Sequence, residues 1–415
     1  MNVLKIATAG SVDDGKSTLI GRILYDTKSL TDDKLEAIEE KSKQRGFDYL
    51  DFSLATDGLV AEREQGITID VAHIYFSTRK KSFIIADTPG HIEYTRNMVT
   101  GASTAQASIV LIDARNGVVE QTYRHFFINN LLRIKDVVIA INKMDLVDFS
   151  EEKYNIIRGE IEYLASKSEY KNQRLTFIPL SALQGDNVVG TSENMPWYQG
   201  ETLLDHIEKL GEEDINEVSQ VRFPVQTVIR PKTTEYHDFR GYAGKIYGGD
   251  FEVGDEVAVL PSKTRSKIKS IHFFNEEYAS AKNGSSVTLT LEDNVNVSRG
   301  DMLVKVNEEP KITKQLDATI CWMDKEPLKV SQKYYIQHGV NDAQAKIIQL
   351  SSIIKTDFSG KINNPSALEL NQIGDIQLKL SKPLLVDAYH QNKSNGSFIL
   401  INPKTNNTVG VGFIR

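Results

Sequence analysis

The stretch GSVDDGKST, residues 10–18, places the strongest constraint on how this chain folds. It matches the pattern G-x-x-x-x-G-K-[ST] at every fixed position, and it follows the short apolar run VLKIATA. A loop of this kind joins a buried strand to a helix and surrounds phosphate groups with backbone N–H donors. We therefore predict a phosphate-binding loop in which Lys16 adds positive charge and the Ser17 hydroxyl ligates magnesium. Its members are Gly10, Ser11, Val12, Asp13, Asp14, Gly15, Lys16, Ser17 and Thr18.

Strands and helices alternate through the first half of the sequence. Helical periodicity is clearest where apolar residues recur from Tyr154 to Ala165, after Ser150 as a helix N-cap. This alternation predicts a doubly wound, mostly parallel α/β domain over residues 1–215. The short apolar runs expected to form its buried strands are Ile6–Ala9, Phe83–Ala86, Ile109–Ile112, Val137–Ile141 and Thr176–Ile178.

The second half has a different pattern, with many glycines at turns and few helical segments. It begins after a polar linker at Glu212–Gln220, and a second break at Asn307–Gln315 divides it. Short alternating strands with turn signals predict two antiparallel β-barrels, over residues 220–308 and 314–415. The residues expected on one face of the first of these strands are Phe223, Val225, Thr227 and Ile229.

The segment INKMD indicates which base the nucleotide carries. It follows the apolar run that ends at Ile141, and α/β sheets bind ligands beyond the carboxyl ends of their strands. Guanine presents two adjacent donors that the Asp145 carboxylate can accept, whereas adenine presents no such pair. Lys143 can lay its stem along the base, and a backbone N–H of the later segment SAL can donate to the guanine carbonyl. The predicted nucleotide is GTP or GDP, bound by Asn142, Lys143, Met144, Asp145, Ser181, Ala182 and Leu183.

The segment DTPGH follows the apolar run that ends at Ala86. We expect Asp87 to reach magnesium, usually through water, and the Gly90 N–H to sense the γ-phosphate. His91 is the candidate for orienting the attacking water, because it directly follows that sensor. The residues of this segment assigned to the nucleotide site are Asp87, Thr88, Pro89, Gly90 and His91.

Thr68 lies in a glycine-flanked loop within EREQGITID. Its hydroxyl is expected to complete the magnesium ligand set of Ser17 and Asp87 while GTP is intact. The loops that carry Thr68 and Gly90 are then switches, ordered by the γ-phosphate and released on hydrolysis. We therefore assign catalytic roles to Lys16, Thr68 and His91.

Composition narrows the class of protein and its partners. The formal net charge of −7 argues against a broad nucleic-acid-binding surface. No apolar run approaches the roughly 20 residues that span a bilayer, and no signal-peptide pattern precedes the first strand. The single cysteine, Cys321, cannot form an internal disulfide and is expected to be a small buried residue in a strand. We therefore expect a cytoplasmic protein that binds neither nucleic acid nor membrane.

In this order, and followed by two barrels, the motifs resemble those of the translational GTPases of the elongation factor Tu group over the whole chain. The resemblance implies that Val12 and Ile67 form an apolar gate beside His91. It also implies that Asp13 is a phosphate-loop carboxylate near the transferred phosphate, and we add Asp13 to the predicted catalytic residues.

The sequence is more similar to a branch of that superfamily that does not act in translation, the large, GTP-hydrolysing subunits of bacterial two-subunit sulfate adenylyltransferase. In that family a small subunit binds ATP and sulfate and forms adenosine 5′-phosphosulfate with release of pyrophosphate. The reaction is strongly uphill, and GTP hydrolysis on the large subunit drives it. The resemblance therefore implies a heterodimer, or an assembly of heterodimers. The segments that carry it include LVAEREQGITIDVAHIYFST, GDNVVGTSENMPWYQGETLLDHI, FRGYAGKI, LELNQIGDIQLKL and NGSFILINPKTNNTVGVG.

Two other functions stay open at this point. One is a translation factor that delivers aminoacyl-tRNA; the acidic charge, and Asp14 and Gln65 where elongation factors usually carry other residues, weigh against it. The other is a scaffold that binds GTP without turnover, which the intact Lys16, Thr68 and His91 argue against. The sequence has no second phosphate loop, so we expect no fused adenylylsulfate kinase activity in this chain.

Overall fold

The computed structural model describes residues 3–44, 46, 50–55, 71–90, 95–211, 220–231, 239–274 and 276–415. The chain forms two compact units. One comprises Met1–Ile215 with Lys355–Gly360, and the other comprises Asn216–Ile354 with Lys361–Arg415. Of the predicted linker Glu212–Gln220, all but Gln220 lies outside the described residues.

A six-stranded sheet forms the centre of the first unit. Its strands are β1 (Val3–Ala9), β2 (Ala72–Ser77), β3 (Ser82–Asp87), β4 (Ala107–Asp113), β5 (Asp136–Asn142) and β6 (Arg174–Pro179). The strand order is β2-β3-β1-β4-β5-β6; β2 runs antiparallel to β3, and the other pairs are parallel. Every residue of β4 and β5 is buried, as expected for strands covered on both faces.

Helices follow most of these strands. They are α1 (Lys16–Asp26), α2 (Asp32–Gln44), α3 (Thr95–Ala102), α4 (Glu120–Leu131), α5 (Glu151–Lys167) and α6 (Leu203–Lys209), with 3₁₀ turns at Phe52–Ala55 and Met144–Val147. Helix α5 begins as predicted: the Ser150 hydroxyl accepts a hydrogen bond from the Lys153 N–H at 3.3 Å. The side chains of Tyr154, Ile157 and Leu164, which belong to this helix, are buried.

The strand order creates a binding edge at the carboxyl ends of the central strands. Strand β1 lies between β3 and β4. The strands that follow β1 in the chain, β2 and β3, lie on one side of it, and β4, β5 and β6 lie on the other. Ligands bind at such a switch point, where the connections diverge and leave a crevice. The predicted phosphate loop follows β1, and the segments DTPGH and INKMD begin where β3 and β5 end.

The second unit contains two closed sheets. Strands of the first are β7 (Phe223–Ile229), β8 (Gly241–Lys245), β10 (Glu256–Leu260), β11 (Thr264–Phe273), β12 (Glu276–Tyr278), β14 (Ser286–Leu291) and β15 (Met302–Lys305). In the same part of the chain, β9 (Phe251–Glu252) and β13 (Ser280–Ala281) pair with each other in a separate two-stranded sheet. The order β10-β15-β7-β8-β14-β11 closes into a barrel because β10 also pairs with β11.

The prediction for β7 is wrong in its second half. Phe223 and Val225 face the core, but Thr227 is exposed and Val228 packs on the core in place of Ile229. The register with β8 shifts between Val225 and Thr227. This β-bulge inserts one residue, and the alternation of side chains reverses after it.

The second barrel follows the same plan. Its strands are β16 (Lys311–Trp322), β17 (Lys333–His338), β18 (Asn341–Ile354), β19 (Lys361–Asn363), β20 (Ile373–Val386), β21 (Ser397–Ile401) and β22 (Thr408–Ile414). The order β17-β21-β22-β16-β20-β18 closes through pairing of β17 with β18. Cys321 is buried in β16, as expected.

The predicted break at Asn307–Gln315 is too long. Strand β16 already begins at Lys311, which pairs with Val386 of β20. The polar residues that suggested a loop therefore belong to an exposed strand end, and a register shift between Thr313 and Gln315 interrupts its regular alternation.

The two barrels share a buried contact within their unit. Ala258, Leu260, Met302 and Val304 of the first barrel form an apolar cluster with Leu385 of the second. A second contact is polar: the fully buried Arg222 guanidinium donates two hydrogen bonds of 2.8 Å to the Asp387 carboxylate. The predicted fold class, an α/β domain followed by two antiparallel barrels, is confirmed. Among the described residues, no helix is both long enough and apolar enough to cross a membrane.

Candidate nucleotide-binding site

The phosphate loop adopts a conformation that requires glycine at its end. Gly15 is the N-cap residue of α1 and has the left-handed backbone angles φ 92° and ψ 29°. A Cβ at this position would lie 2.5 Å from the Asn142 Nδ2 atom, so a side chain would be excluded by contact as well as by backbone strain. The N–H groups at the start of α1 therefore open directly onto the loop.

Lys16 lies inside this loop. Its side chain is buried, and Nζ donates hydrogen bonds to the carbonyl oxygens of Gly10 at 2.7 Å and Ser11 at 3.0 Å. Burial lowers the pKa of Lys16, and the carboxylates of Asp87, Asp14 and Asp13 oppose that change. A buried ammonium group whose charge is only partly compensated is well suited to bind an anion.

The segment that follows β3 packs against the loop. Asp87 is buried and accepts a hydrogen bond from the Thr8 hydroxyl at 3.0 Å, and the Thr88 hydroxyl donates to the Thr8 carbonyl oxygen. A Cβ at Gly90 would lie 2.4 Å from the Gly10 carbonyl oxygen and 2.6 Å from Lys16 Nζ. Glycine therefore allows the backbone of residue 90 to pack directly against the phosphate loop at Gly10 and Lys16.

Asn142 connects the two halves of the site. Its Nδ2 donates to the Asp14 carbonyl oxygen at 2.8 Å, and its Oδ1 accepts from the Ala182 N–H at 2.9 Å. The side chain is buried, so both bonds are made away from water. One amide thus sets the distance between the phosphate loop and the predicted base-binding segments.

The two segments predicted to bind the base lie side by side at the carboxyl edge of the sheet. Met144 is fully buried and its N–H donates to the Leu180 carbonyl oxygen, which leaves Asp145 half-buried beside it. The Ser181 N–H donates to the Asp186 carbonyl oxygen, and the Ala182 N–H is taken by Asn142. The Leu183 N–H has no acceptor among the described residues, so of the three N–H groups of this segment it is the one without a hydrogen bond there.

Comparison with known proteins assigns this site to a family. The family "Elongation factor Tu GTP binding domain" matches residues 1–213, and "GTP-eEF1A C-terminal domain-like" matches residues 315–415. Sulfate adenylyltransferase subunit 1 of Bacteroides fragilis (strain YCH46) is 49% identical over 100% of this chain and 86% of its own length. The chain belongs to the sulfate adenylyltransferase subunit 1 family.

Two further sequence relatives agree with this assignment. Sulfate adenylyltransferase subunit 1 of Shewanella woodyi is 47% identical over 100% of this chain and 87% of that protein. The "Bifunctional enzyme CysN/CysC" of Mycobacterium tuberculosis is 49% identical over 99% of this chain and 67% of that protein. Among solved structures, Sup35 complexed with GMPPNP covers 100% of this chain and 93% of that chain, at 22% identity and a TM-score of 0.45. The predicted family is confirmed, and the N-terminal domain of this chain is a GTP-binding domain.

Several predicted site residues lie outside the residues that the structure describes. They are Thr68 and His91, together with Ile67 of the apolar gate; Gln65, which weighed against a translation factor, lies outside the described residues too. Among the others, Val12, Ser17 and Thr18 are half-buried in or beside the loop, Asp13 is exposed, and Pro89 is buried. The structure therefore brings together the phosphate loop, residues 87–90, and the segments at 142–145 and 181–183.

Sequence reasoning missed a carboxylate at the end of β4. Asp113 is buried, and its Oδ2 lies 3.0 Å from Lys143 Nζ and 2.6 Å from an amino nitrogen of Arg115. The available signal was its position, because a charged residue that ends a mostly apolar strand lies at the same edge as the residues that end β1, β3 and β5.

A buried histidine near the loop was also missed. His125 on α4 is buried, and burial, with the charges of Lys16 and Arg124, lowers its pKa to about 3. The neutral imidazole therefore adds no charge near Lys16 at physiological pH. Because the unfolded chain would bind the proton more readily, this residue opposes folding increasingly as pH falls from about 6.5 towards 3.

Proposed function

We propose that this chain is the GTP-hydrolysing large subunit of a two-subunit sulfate adenylyltransferase. In this function, GTP hydrolysis drives the reaction of ATP and sulfate to adenosine 5′-phosphosulfate and pyrophosphate, which a small ATP- and sulfate-binding subunit carries out. The observation that carries the proposal is full-length similarity to subunit 1 relatives, combined with a phosphate loop against which Gly90 packs. The proposal includes a heterodimer in the cytoplasm, without nucleic acid or membrane as partner.

The residues at the phosphate end are suited to magnesium. Ser17 supplies a hydroxyl and Asp87 a buried carboxylate, and hard oxygen ligands of this kind are those that Mg²⁺ prefers. Thr68 would add a second hydroxyl from outside the described residues. Once bound, the ion offsets negative charge on the β- and γ-phosphates. Lys16 supports the same phosphates from inside the loop.

The residues around the terminal phosphate would hydrolyse GTP and report its loss. In the proposed mechanism His91 orients the attacking water, and Val12 with Ile67 shields it. Asp13 contributes a carboxylate near the transferred phosphate. The backbone of Gly90, packed against Gly10 and Lys16, changes its environment when the γ-phosphate leaves. The small subunit would then distinguish the two states by its differential affinity for them.

A translation factor that delivers aminoacyl-tRNA is the alternative. The match of residues 1–213 to the elongation factor Tu GTP-binding domain is compatible with it. Relatives that match 99–100% of this chain at 46–49% identity carry the name of the sulfate enzyme or of CysN/CysC, and they favour the main proposal.

The substitution His91→Ala tests the catalytic part of this proposal. In the complex with the small subunit, ATP, sulfate and magnesium, we expect GTP binding to stay nearly intact and hydrolysis to slow by about 100-fold, because a water-orienting group acts mainly in the transition state. Formation of adenylylsulfate should fall in parallel. His206→Ala is the control, since His206 lies on α6 and pairs with Glu201 at 3.5 Å. Wild-type rates of single-turnover hydrolysis in the His91 variant would exclude this role.

A further inference from the structure

The Lys143 side chain is held by a carboxylate from the neighbouring strand. Strands β4 and β5 are in parallel register, with Asp113 paired to Asn142, and the Ala114 N–H donates to the Asn142 carbonyl oxygen at 2.9 Å. This register brings the Asp113 Oδ2 atom to 3.0 Å from Lys143 Nζ. The contact follows from the order of the strands in the sheet, because 30 residues of chain separate the two side chains.

The backbone of Lys143 is unfavourable for a residue with a side chain. It has φ 62° and ψ 37°, in the left-handed region. A non-glycine residue keeps this conformation only where its surroundings impose it, and such residues cluster at functional sites. Here the surroundings include two contacts of the ammonium group, with the Asp13 carbonyl oxygen and with Asp113.

These contacts stretch the Lys143 stem across the mouth of the phosphate loop. The Lys143 Cε atom lies 4.0 Å from the position of a Cβ at Gly15. Further along the side chain, the ammonium group donates a hydrogen bond to the Asp13 carbonyl oxygen of the loop. The methylene groups between the backbone and the ammonium group therefore form an apolar surface, and the half-buried Asp145 follows two residues later in the chain.

Asp113 is itself held in place and kept ionised. The Arg115 side chain donates to both carboxylate oxygens, with Nε at 3.0 Å from Oδ1 and an amino nitrogen at 2.6 Å from Oδ2. Burial alone would raise the pKa of Asp113, but hydrogen bonds from Arg115 and Lys143 hold it at about 2. The carboxylate is therefore ionised at neutral pH.

We propose that Asp113, fixed by Arg115, is a positioning residue of the guanine site that sets nucleotide affinity through Lys143. It holds the lysine stem as a flat support for the purine ring and has no part in reading the edge of the base. This inference rests on the proposed guanine pocket. Loss of Asp113 weakens every purine nucleotide that uses the pocket by a similar factor, whereas loss of Asp145 changes which purine is preferred.

Asp113→Asn tests the inference, because it keeps the shape of the side chain and removes its charge. We expect the dissociation constants of GTP, GDP and inosine triphosphate each to rise about tenfold, as for loss of one charge-assisted hydrogen bond. The rate constant for hydrolysis of bound GTP should stay within about twofold, since the lysine stem supports ground state and transition state equally.

Asp136→Asn is the matched control. Asp136 is also buried and accepts two arginine hydrogen bonds, from Arg174 at 2.6 and 2.7 Å, but it begins β5 and so lies at the opposite edge of the sheet. We expect no change in nucleotide affinity for this variant. An equal loss of affinity in both variants would show a general effect of breaking a buried ion pair and would overturn the inference.

A second variant tests the same contact from its other side, so the test does not depend on whether the Asp113→Asn variant folds. Lys143→Met retains an apolar stem and removes the tethered ammonium group, so it should lose affinity to a similar extent. The double variant should lose little more than either single one, because both changes break the same contact. Full additivity in the double variant, or unchanged affinity in both single variants, would contradict the inference.

The substitution Asp145→Asn separates failure of this inference from failure of the proposed guanine pocket. If Asp145→Asn alters base preference while Asp113→Asn leaves nucleotide affinity unchanged, only the role of Asp113 is excluded. If Asp145→Asn also leaves base preference and affinity unchanged, the guanine pocket itself is wrongly placed.

Discussion

Replacing Lys16 with methionine is expected to lower GTP affinity by about 100-fold or more, because the ammonium group makes several charge-assisted hydrogen bonds to phosphate oxygens. Calorimetry with GTP measures this loss directly. Lys80→Met is a suitable control. Lys80 lies in the turn before β3, its side chain is largely exposed, and its ammonium group lies 2.7 Å from the Glu208 carboxylate. Unchanged GTP affinity in the Lys16 variant would remove this loop from the nucleotide site.

The same variant should fold at least as well as the wild type without nucleotide. The surroundings of Lys16 lower its pKa in spite of three nearby carboxylates, so the folded chain disfavours its positive charge. A neutral side chain of similar length removes that cost. Thermal denaturation of the nucleotide-free chain checks this, and a clearly lower midpoint would mean that Lys16 has a structural role.

Asp145→Asn is expected to change the preferred base. An amide cannot accept both guanine donors, so GTP affinity should fall by about 2–4 kcal/mol, while xanthosine triphosphate, whose added carbonyl suits an amide donor, should bind more tightly than GTP. Competition binding with the two nucleotides measures the change. Asp148→Asn, at an exposed position three residues further along the chain, should leave the preference unchanged. GTP affinity equal to that of the wild type would exclude Asp145 from the base pocket.

The sequence predicted the parts of the fold that depend on local pattern. The buried strands and the start of α5 at Ser150 could be predicted because apolar periodicity and capping act over a few residues. The bulge in β7 after Val225 could not, because the inserted residue is defined by the pairing with β8. The start of β16 at Lys311 was missed for a similar reason, since its partner Val386 lies 75 residues away.

The site divides in the same way. Spacing within a motif identified the phosphate loop and the segments DTPGH, INKMD and SAL, because each motif is contiguous. The amide of Asn142, which bonds Asp14 and Ala182 at once, could be placed only after those segments were brought together. Asp113 and Arg115 belong to no short motif of their own, and their contact with Lys143 depends on the adjacency of β4 and β5.

The central claim is that GTP hydrolysis supplies the energy for sulfate activation. The direct measurement combines this chain, the small subunit, ATP, sulfate and magnesium, and follows adenylylsulfate and guanine-nucleotide phosphate release together. With GTP, adenylylsulfate should accumulate beyond the equilibrium of the ATP and sulfate reaction alone. With a non-hydrolysable GTP analogue it should stop at that equilibrium, since a bound ligand can shift the populations of the protein but cannot supply the free energy of hydrolysis. Equal accumulation with GTP, with the analogue and without guanine nucleotide would contradict the claim.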